Sequence, residues 1–196
     1  MFPIWNLGVD GIPGVCYTII TIRKRGERMN YANIKTYDIA NGPGVRVSLF
    51  VSGCTHKCKE CFNQEAWDFD YGKPFDQHVI DQLLAHLKPD HIKGITYLGG
   101  EPMDPRNQAG LLDLSRQIRA AYPKKSIWCF TGYVWEKIPQ VSGVTEELIA
   151  HCDVIVDGPF IAAQKNLRLR FRGSENQRLI DVPKTLAEGQ VVLWGE

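Results

Sequence analysis

Long hydrophobic runs are scarce in this 196-residue chain. The longest near the N-terminus, residues 15–22, falls far short of the roughly 20 apolar residues that span a bilayer. A signal peptide carries its positive charges ahead of the apolar stretch, whereas Arg23, Lys24, Arg25 and Arg28 follow it here. The expected location is therefore cytoplasmic. An excess of one charge is missing too: 23 Lys and Arg against 22 Asp and Glu leave a formal charge of +1. That balance excludes a chain-wide field for nucleic acid or anionic lipid and leaves only local patches. With 44% hydrophobic and 23% charged residues the composition is that of a soluble globular domain, not of a disordered or collagen-like chain. Cysteine is present but uneven. Cys54, Cys58 and Cys61 crowd into one short segment, Cys16, Cys129 and Cys152 stand alone, and no fourth cysteine lies near the triplet.

The length fits one domain. Residues 1–28 carry Pro, Gly and no helical period, and read as an N-terminal extension. Gly26 and Glu27 allow a purine-rich coding stretch upstream of Met29, so one expectation places the true start at Met29; the other is a genuine extension. Residues 29–196 then alternate strands and helices. Val45–Val51 is apolar and β-branched and runs into the cysteine loop. Gln77–Leu87 has apolar residues at Val79, Ile80, Leu83, Leu84 and Leu87, the spacing of an amphipathic helix. Strands are expected at 95–98, 127–130 and 154–156, with helices at 111–121 and 146–150. Such alternation predicts βαβ units and a mostly parallel open sheet. In parallel α/β sheets ligand sites lie beyond the carboxyl ends of the strands. The cysteine loop, Gly99-Gly100-Glu101, Thr131-Gly132-Tyr133 and Asp157 are thus expected on one rim. Residues 167–172 (LRLRFR) alternate apolar with Arg168, Arg170 and Arg172, as a solvated edge strand or a docking patch for an acidic partner does.

The spacing at Cys54, Cys58 and Cys61 is C-x3-C-x2-C. Iron–sulfur clusters are held by thiolates, usually four, and three leave one iron open to a ligand. The alternative is a Cys3His zinc site that uses His56, in an interaction module without catalysis. Structural zinc sites usually supply two separated ligand pairs, and no second Cys/His pair follows. Cys129 and Cys152 fall in or beside apolar strands and read as core.

The triplet, reached from a buried strand, resembles that of the radical S-adenosylmethionine (SAM) enzymes. Many members carry an aromatic residue just before the last cysteine; here Glu60 stands there and Phe62 follows. Within that family the chain resembles the glycyl-radical-enzyme activases, and most of all the branch acting on anaerobic ribonucleoside-triphosphate reductase. The likeness covers nearly all of residues 29–178, through NGPGVR (41–46), LFVSGCTHKCKECFN (49–63), Trp67, LGGEP (98–102), TGY (131–133), VDGPF (156–160) and RGSENQR (172–178). Other short radical SAM enzymes, pyruvate formate-lyase type activases or deazaguanine synthases, are the nearest rivals.

The resemblance implies a partial (β/α) barrel, short of the roughly 250 residues of a full one. It implies one 4Fe–4S cluster on Cys54, Cys58 and Cys61, and SAM as cofactor, with Gly99 and Gly100 at its amino group. Glu60, Cys61 and Phe62 are implied on its adenine and ribose side. The chemistry implied is reductive cleavage of SAM to a 5′-deoxyadenosyl radical, which abstracts a hydrogen atom from a glycine of the reductase large subunit. Cluster and SAM carry the reaction, so no protein side chain is expected to act as a catalytic group. An external low-potential donor such as flavodoxin is implied, since no reductase module fits this length. The segment 41–46 is implied to border the groove for the partner, with a structural ion pair as the other role for Arg46. Thr131, Tyr133 and Asp157 either meet the ribose or order the site.

Overall fold

The seven strands of the computed structural model, which describes residues 29–140 and 144–195, form one open sheet. They are β1 (Asn30–Asp38), β2 (Val45–Val51), β3 (Lys73–Pro74), β4 (Ile92–Gly99), β5 (Ser126–Phe130), β6 (Val154–Asp157) and β7 (Arg178–Asp181). Their order across the sheet is β3-β1-β2-β4-β5-β6-β7. The expectations for residues 1–28, including a start at Met29 and the place of Cys16, lie outside the described residues. The sheet is less parallel than expected. The β2–β4, β4–β5 and β5–β6 pairings are parallel, whereas β1–β2, β1–β3 and β6–β7 are antiparallel. Only the four central strands are joined by helical crossovers, and only those crossovers enforce the parallel arrangement.

Four helices complete the fold: α1 (Gln77–Leu87), α2 (Pro105–Ala121), α3 (Thr145–His151) and α4 (Val182–Glu188). Asp76 caps α1 by accepting from the Val79 N–H, and Asp104 caps α2 by accepting from the Arg106 N–H. Leu49, Val51, Ile95, Tyr97, Ile127, Cys129 and Ile155 point from the central strands into one core with Leu83, Leu111, Leu114, Ile118 and Leu148 of α1, α2 and α3. Cys129 and Cys152 are buried there, as expected of core cysteines. The alternate strand positions face the other way. Trp128, Val154 and Val156 form a smaller cluster with Phe130, Phe171 and Leu179. Central strands buried on both faces explain their near-continuous apolar sequences. Among the described residues no helix is long and apolar enough to cross a membrane.

Arg46 departs from its expected place. It lies wholly buried under the sheet and makes no ion pair among the described residues. Its Nε donates to Thr96 Oγ1 at 2.9 Å, Nη1 to Ser126 Oγ at 2.8 Å, and Nη2 to the Ile95 carbonyl at 2.6 Å. The guanidinium also stands 5.4 Å from the Trp128 ring centre. Burial pushes its pKa down to about 10, against the pull of more distant Asp153 and Asp38. Thr96 Oγ1 in turn donates to the Asn41 carbonyl at 2.7 Å, so the network anchors the turn before β2. A planar fork spans three strands in a way that an ammonium group does not. Arg46→Lys is therefore expected to lower unfolding free energy by about 1–3 kcal/mol, since it strands buried acceptors. A urea midpoint equal to that of the wild type refutes this role.

Candidate active site

The chain leaves β2 at Val51 and is caught at once. The Gly53 N–H donates to the Ala66 carbonyl at 2.8 Å and the Cys54 N–H to that of Trp67 at 3.1 Å. Both acceptors belong to a 3-10 turn, Gln64–Trp67, that follows the cysteine loop. From the other side, the Gly100 N–H donates to the Val51 carbonyl and the Glu101 N–H to that of Gly53, each at 2.8 Å. A side chain on Gly100 would run into the Gly53 carbonyl oxygen, so only glycine lets the β4 end pass beneath the loop.

Cys54, Cys58 and Cys61 are free, partly exposed thiols that line one cavity of about 450 Å³. Gly99, Gly100, Glu60 and Phe62 line the same cavity, as do Thr131 and Gly132 at the end of β5. The expected convergence at the carboxyl rim is thus observed, and Leu98, Phe130 and Phe171 supply apolar wall. Burial pushes the Cys54 thiol up to about 11 and raises Cys58 as well. Both are protonated near neutral pH, so loading a metal here releases protons.

Three thiols facing one cavity form the soft donor set that suits an iron–sulfur cluster. His56 lies between Cys54 and Cys58 in sequence, but its Nε2 is turned to Glu101 Oε2 at 2.9 Å. That contact is close enough for an ion pair and ties the His56 ring to Glu101. Among the described residues no three Cys, His, Asp or Glu side chains gather around a single point. The residues present fit a cluster.

Glu101 is the residue that sequence reading placed on the rim without assigning it a role. It is 1% exposed, yet its carboxylate has partners from several segments. Oε1 accepts from the Met103 N–H and from Thr131 Oγ1, both at 2.8 Å, and Oε2 accepts from the Gly132 N–H at 2.7 Å. Its hydrogen bond and charge hold His56 above the ordinary histidine value against the opposing effect of burial. Tyr133 packs edge-on to His56, with ring centres 4.4 Å apart. A side chain on Gly132 would press into the His56 ring. Thr131 and Tyr133 thus serve the loop through Glu101 and His56. The available signal was an acidic residue directly after a Gly-Gly strand end.

Asp157 also orders rather than lines the site. It is buried at the end of β6, accepts from the Trp135 N–H at 2.8 Å, and pairs with Arg178, which reaches Glu136 at 3.0 Å. Residues 167–172 form a turn, not the edge strand their alternation suggests. Phe171 adopts a left-handed φ of 60°, which breaks the extended run, and Leu167, Leu169 and Phe171 line the cavity. The carboxylate at position 101 sets a test of the bracket. Glu101→Gln places an amide N–H against backbone donors and is expected to cost about 1–3 kcal/mol. It should also speed amide hydrogen exchange across residues 54–61, and unchanged exchange there removes Glu101 as the tie.

Comparison with known proteins extends the site's reading to the whole fold. A family model described as a 4Fe-4S single cluster domain matches residues 40–180. The anaerobic ribonucleoside-triphosphate reductase-activating protein of Enterobacteria phage T4 is 41% identical over 153 residues, which cover 77% of this chain and 93% of that protein. The proteins of the same name from Vibrio cholerae and Escherichia coli K12 are each 40% identical over 151 residues, covering 76% of this chain and 96% of theirs. With the cysteine loop, the Gly-Gly strand end and the cavity between them inside the matched region, the chain belongs to the family of anaerobic ribonucleoside-triphosphate reductase-activating proteins.

Proposed function

We propose that this protein activates anaerobic ribonucleoside-triphosphate reductase by installing a glycyl radical on its large subunit. It would use one 4Fe–4S cluster and S-adenosylmethionine to do so. The observation that carries this reading is that the Cys54, Cys58 and Cys61 thiols and the Gly99-Gly100 turn open onto one cavity. In the same reading the open sheet is a partial barrel of the radical SAM type, and the protein works in the cytoplasm with flavodoxin or a similar low-potential donor.

Cluster and SAM, when bound, supply a one-electron reductive cleavage whose 5′-deoxyadenosyl radical takes a hydrogen atom from a glycine Cα. The chain's own work is placement. The three cysteines would hold the cluster and leave it one position for a further ligand. Gly99 and Gly100 line the cavity with no side chain in the way, and their backbone would accept from the SAM ammonium group. Glu60, Cys61 and Phe62 line the same cavity and would form the wall on the adenine and ribose side. Leu98, Phe130 and Phe171 add apolar wall, which would help keep water from a reactive radical.

Anaerobic reconstitution tests the reading. About four irons and four sulfides are expected per chain, with SAM cleaved under dithionite and a glycyl radical doublet in the EPR spectrum of the reductase. Cys58→Ala should lose the cluster absorbance and both activities while keeping its far-UV circular dichroism. Stoichiometric zinc with no SAM turnover in the wild type defeats the proposal.

A further inference from the structure

Apart from Phe171 in the cavity wall, the loop 165–174 has no part in the mechanism above, and its surface is unusual. A bridge between Lys165 and Ser174 closes its base, and the Asn166 N–H donates to the Gly173 carbonyl at 3.3 Å. Asn166 Oδ1 accepts from the Arg168 N–H at 3.0 Å. Phe171 packs edge-on against Trp128, with ring centres 5.5 Å apart, and Arg172 donates to the Gln177 carbonyl at 2.6 Å. The loop is tied down at both ends and at its anchor. Even so, Leu167 is 90% exposed at the mouth of the cavity, and Phe62, on the same cavity, is 85% exposed. Large apolar side chains left in water on a well-tied loop mark a surface that something else covers.

Cations predominate around that mouth. Lys165, Arg168 and Arg170 on this loop and Lys57 and Lys59 on the cysteine loop are exposed, and none makes an ion pair among the described residues. Two acids stand close in sequence: Glu60, and Glu175, which accepts from Asn166 Nδ2 at 3.0 Å. A chain of formal charge +1 has thus placed a cluster of unpaired cations beside its site. We propose that the loop 165–174, with Phe62 opposite, is the docking surface for the reductase. The segment it receives is acidic and carries an apolar side chain that covers Leu167. This rests on the function proposed above. A second copy of this chain would bring like charge against like charge, which is unfavourable. A phosphate backbone would satisfy the cations but leave Leu167 and Phe62 uncovered.

The reconstituted enzyme with full-length reductase provides the test. Arg168→Glu with Arg170→Glu is expected to raise the KM for the reductase about tenfold or more at low ionic strength, because charges at an interface rim govern encounter and its salt dependence. The charge-neutral pair, Arg168→Gln with Arg170→Gln, should fall between, and added salt should narrow all the differences. Iron content and partner-free SAM cleavage under dithionite should match the wild type in both. Leu167→Ser should raise the same KM with the wild-type salt dependence. A charge-reversed enzyme with wild-type KM overturns the docking surface. So does a loss of partner-free cleavage equal to the loss of radical yield, which assigns the loop to SAM. So does loss of self-association or of duplex DNA binding with the reductase KM unmoved. A wild type that places no glycyl radical on the reductase brings down the proposed function and this surface together. One that does so while the reversal changes nothing brings down the surface alone.

Discussion

A carboxylate taken out of water has to have its charge and lone pairs answered by the protein, and Glu101 meets that demand with donors from different parts of the chain. Unpaired, such a group costs several kcal/mol. Paired, it dictates where its donors stand. His56 comes from the cysteine loop, Met103 from the approach to α2, and Thr131 and Gly132 from the end of β5. Moving any one of them uncovers part of the charge. The cysteine loop is the most loosely supported of these segments, because it lies outside the sheet ladder. It gains a fixed position through His56, whose ring is held between Glu101 and Tyr133. The cavity inherits its shape from that arrangement.

The sheet divides its two faces accordingly. The helix side is an apolar core in which Leu49, Ile95, Ile127 and Ile155 pack on α1, α2 and α3. Close packing there makes the strand ends a stiff frame. The opposite side mixes polar anchors with apolar wall. Arg46 joins β2, β4 and β5 there through Thr96, the Ile95 carbonyl and Ser126, while Asp157, two residues after Ile155 and so on the helix side, joins β6, β7 and the turn after β5 through Arg178 and Glu136. The Arg46 bonds leave the rest of the opposite face, at Leu98 and Phe130, free to line a cavity. A site built on strand ends braced in this way holds its groups with little reorganisation.

The elements read best from sequence were those whose burial imposes a period. Gln77–Leu87 and Val45–Val51 are observed with the bounds read from their patterns, because one buries a single stripe and the other buries both faces. β1 escaped notice because its NYANIKTYD run is half exposed and polar, as an outer strand paired on β2 and the two-residue β3 is. β7 and α4 are too short to show a period at all. The alternation of residues 167–172 was real but local, and a left-handed Phe171 packed on Trp128 overrode it. At the site, the cysteines and glycines were legible because their chemistry and lack of a side chain are visible one residue at a time. The carboxylate of Glu101 and the guanidinium of Arg46 were not. Their roles depend on partners 30 and 50 residues away, Thr131 and Thr96, that only the folded chain brings to them.

The backbone around the cavity carries a further sign of what the loop is shaped for. Among the described residues three non-glycine positions have left-handed φ: Lys57, Glu60 and Phe171. Lys57 lies between Cys54 and Cys58, Glu60 between Cys58 and Cys61, and Phe171 on the opposite wall. Each such residue costs on the order of 1 kcal/mol relative to the right-handed or extended alternatives. The hand of the backbone thus reverses once in each interval between the cysteines that line the cavity. That cost is met by the folded frame, through the Gly53 and Cys54 hydrogen bonds and the His56–Glu101 contact.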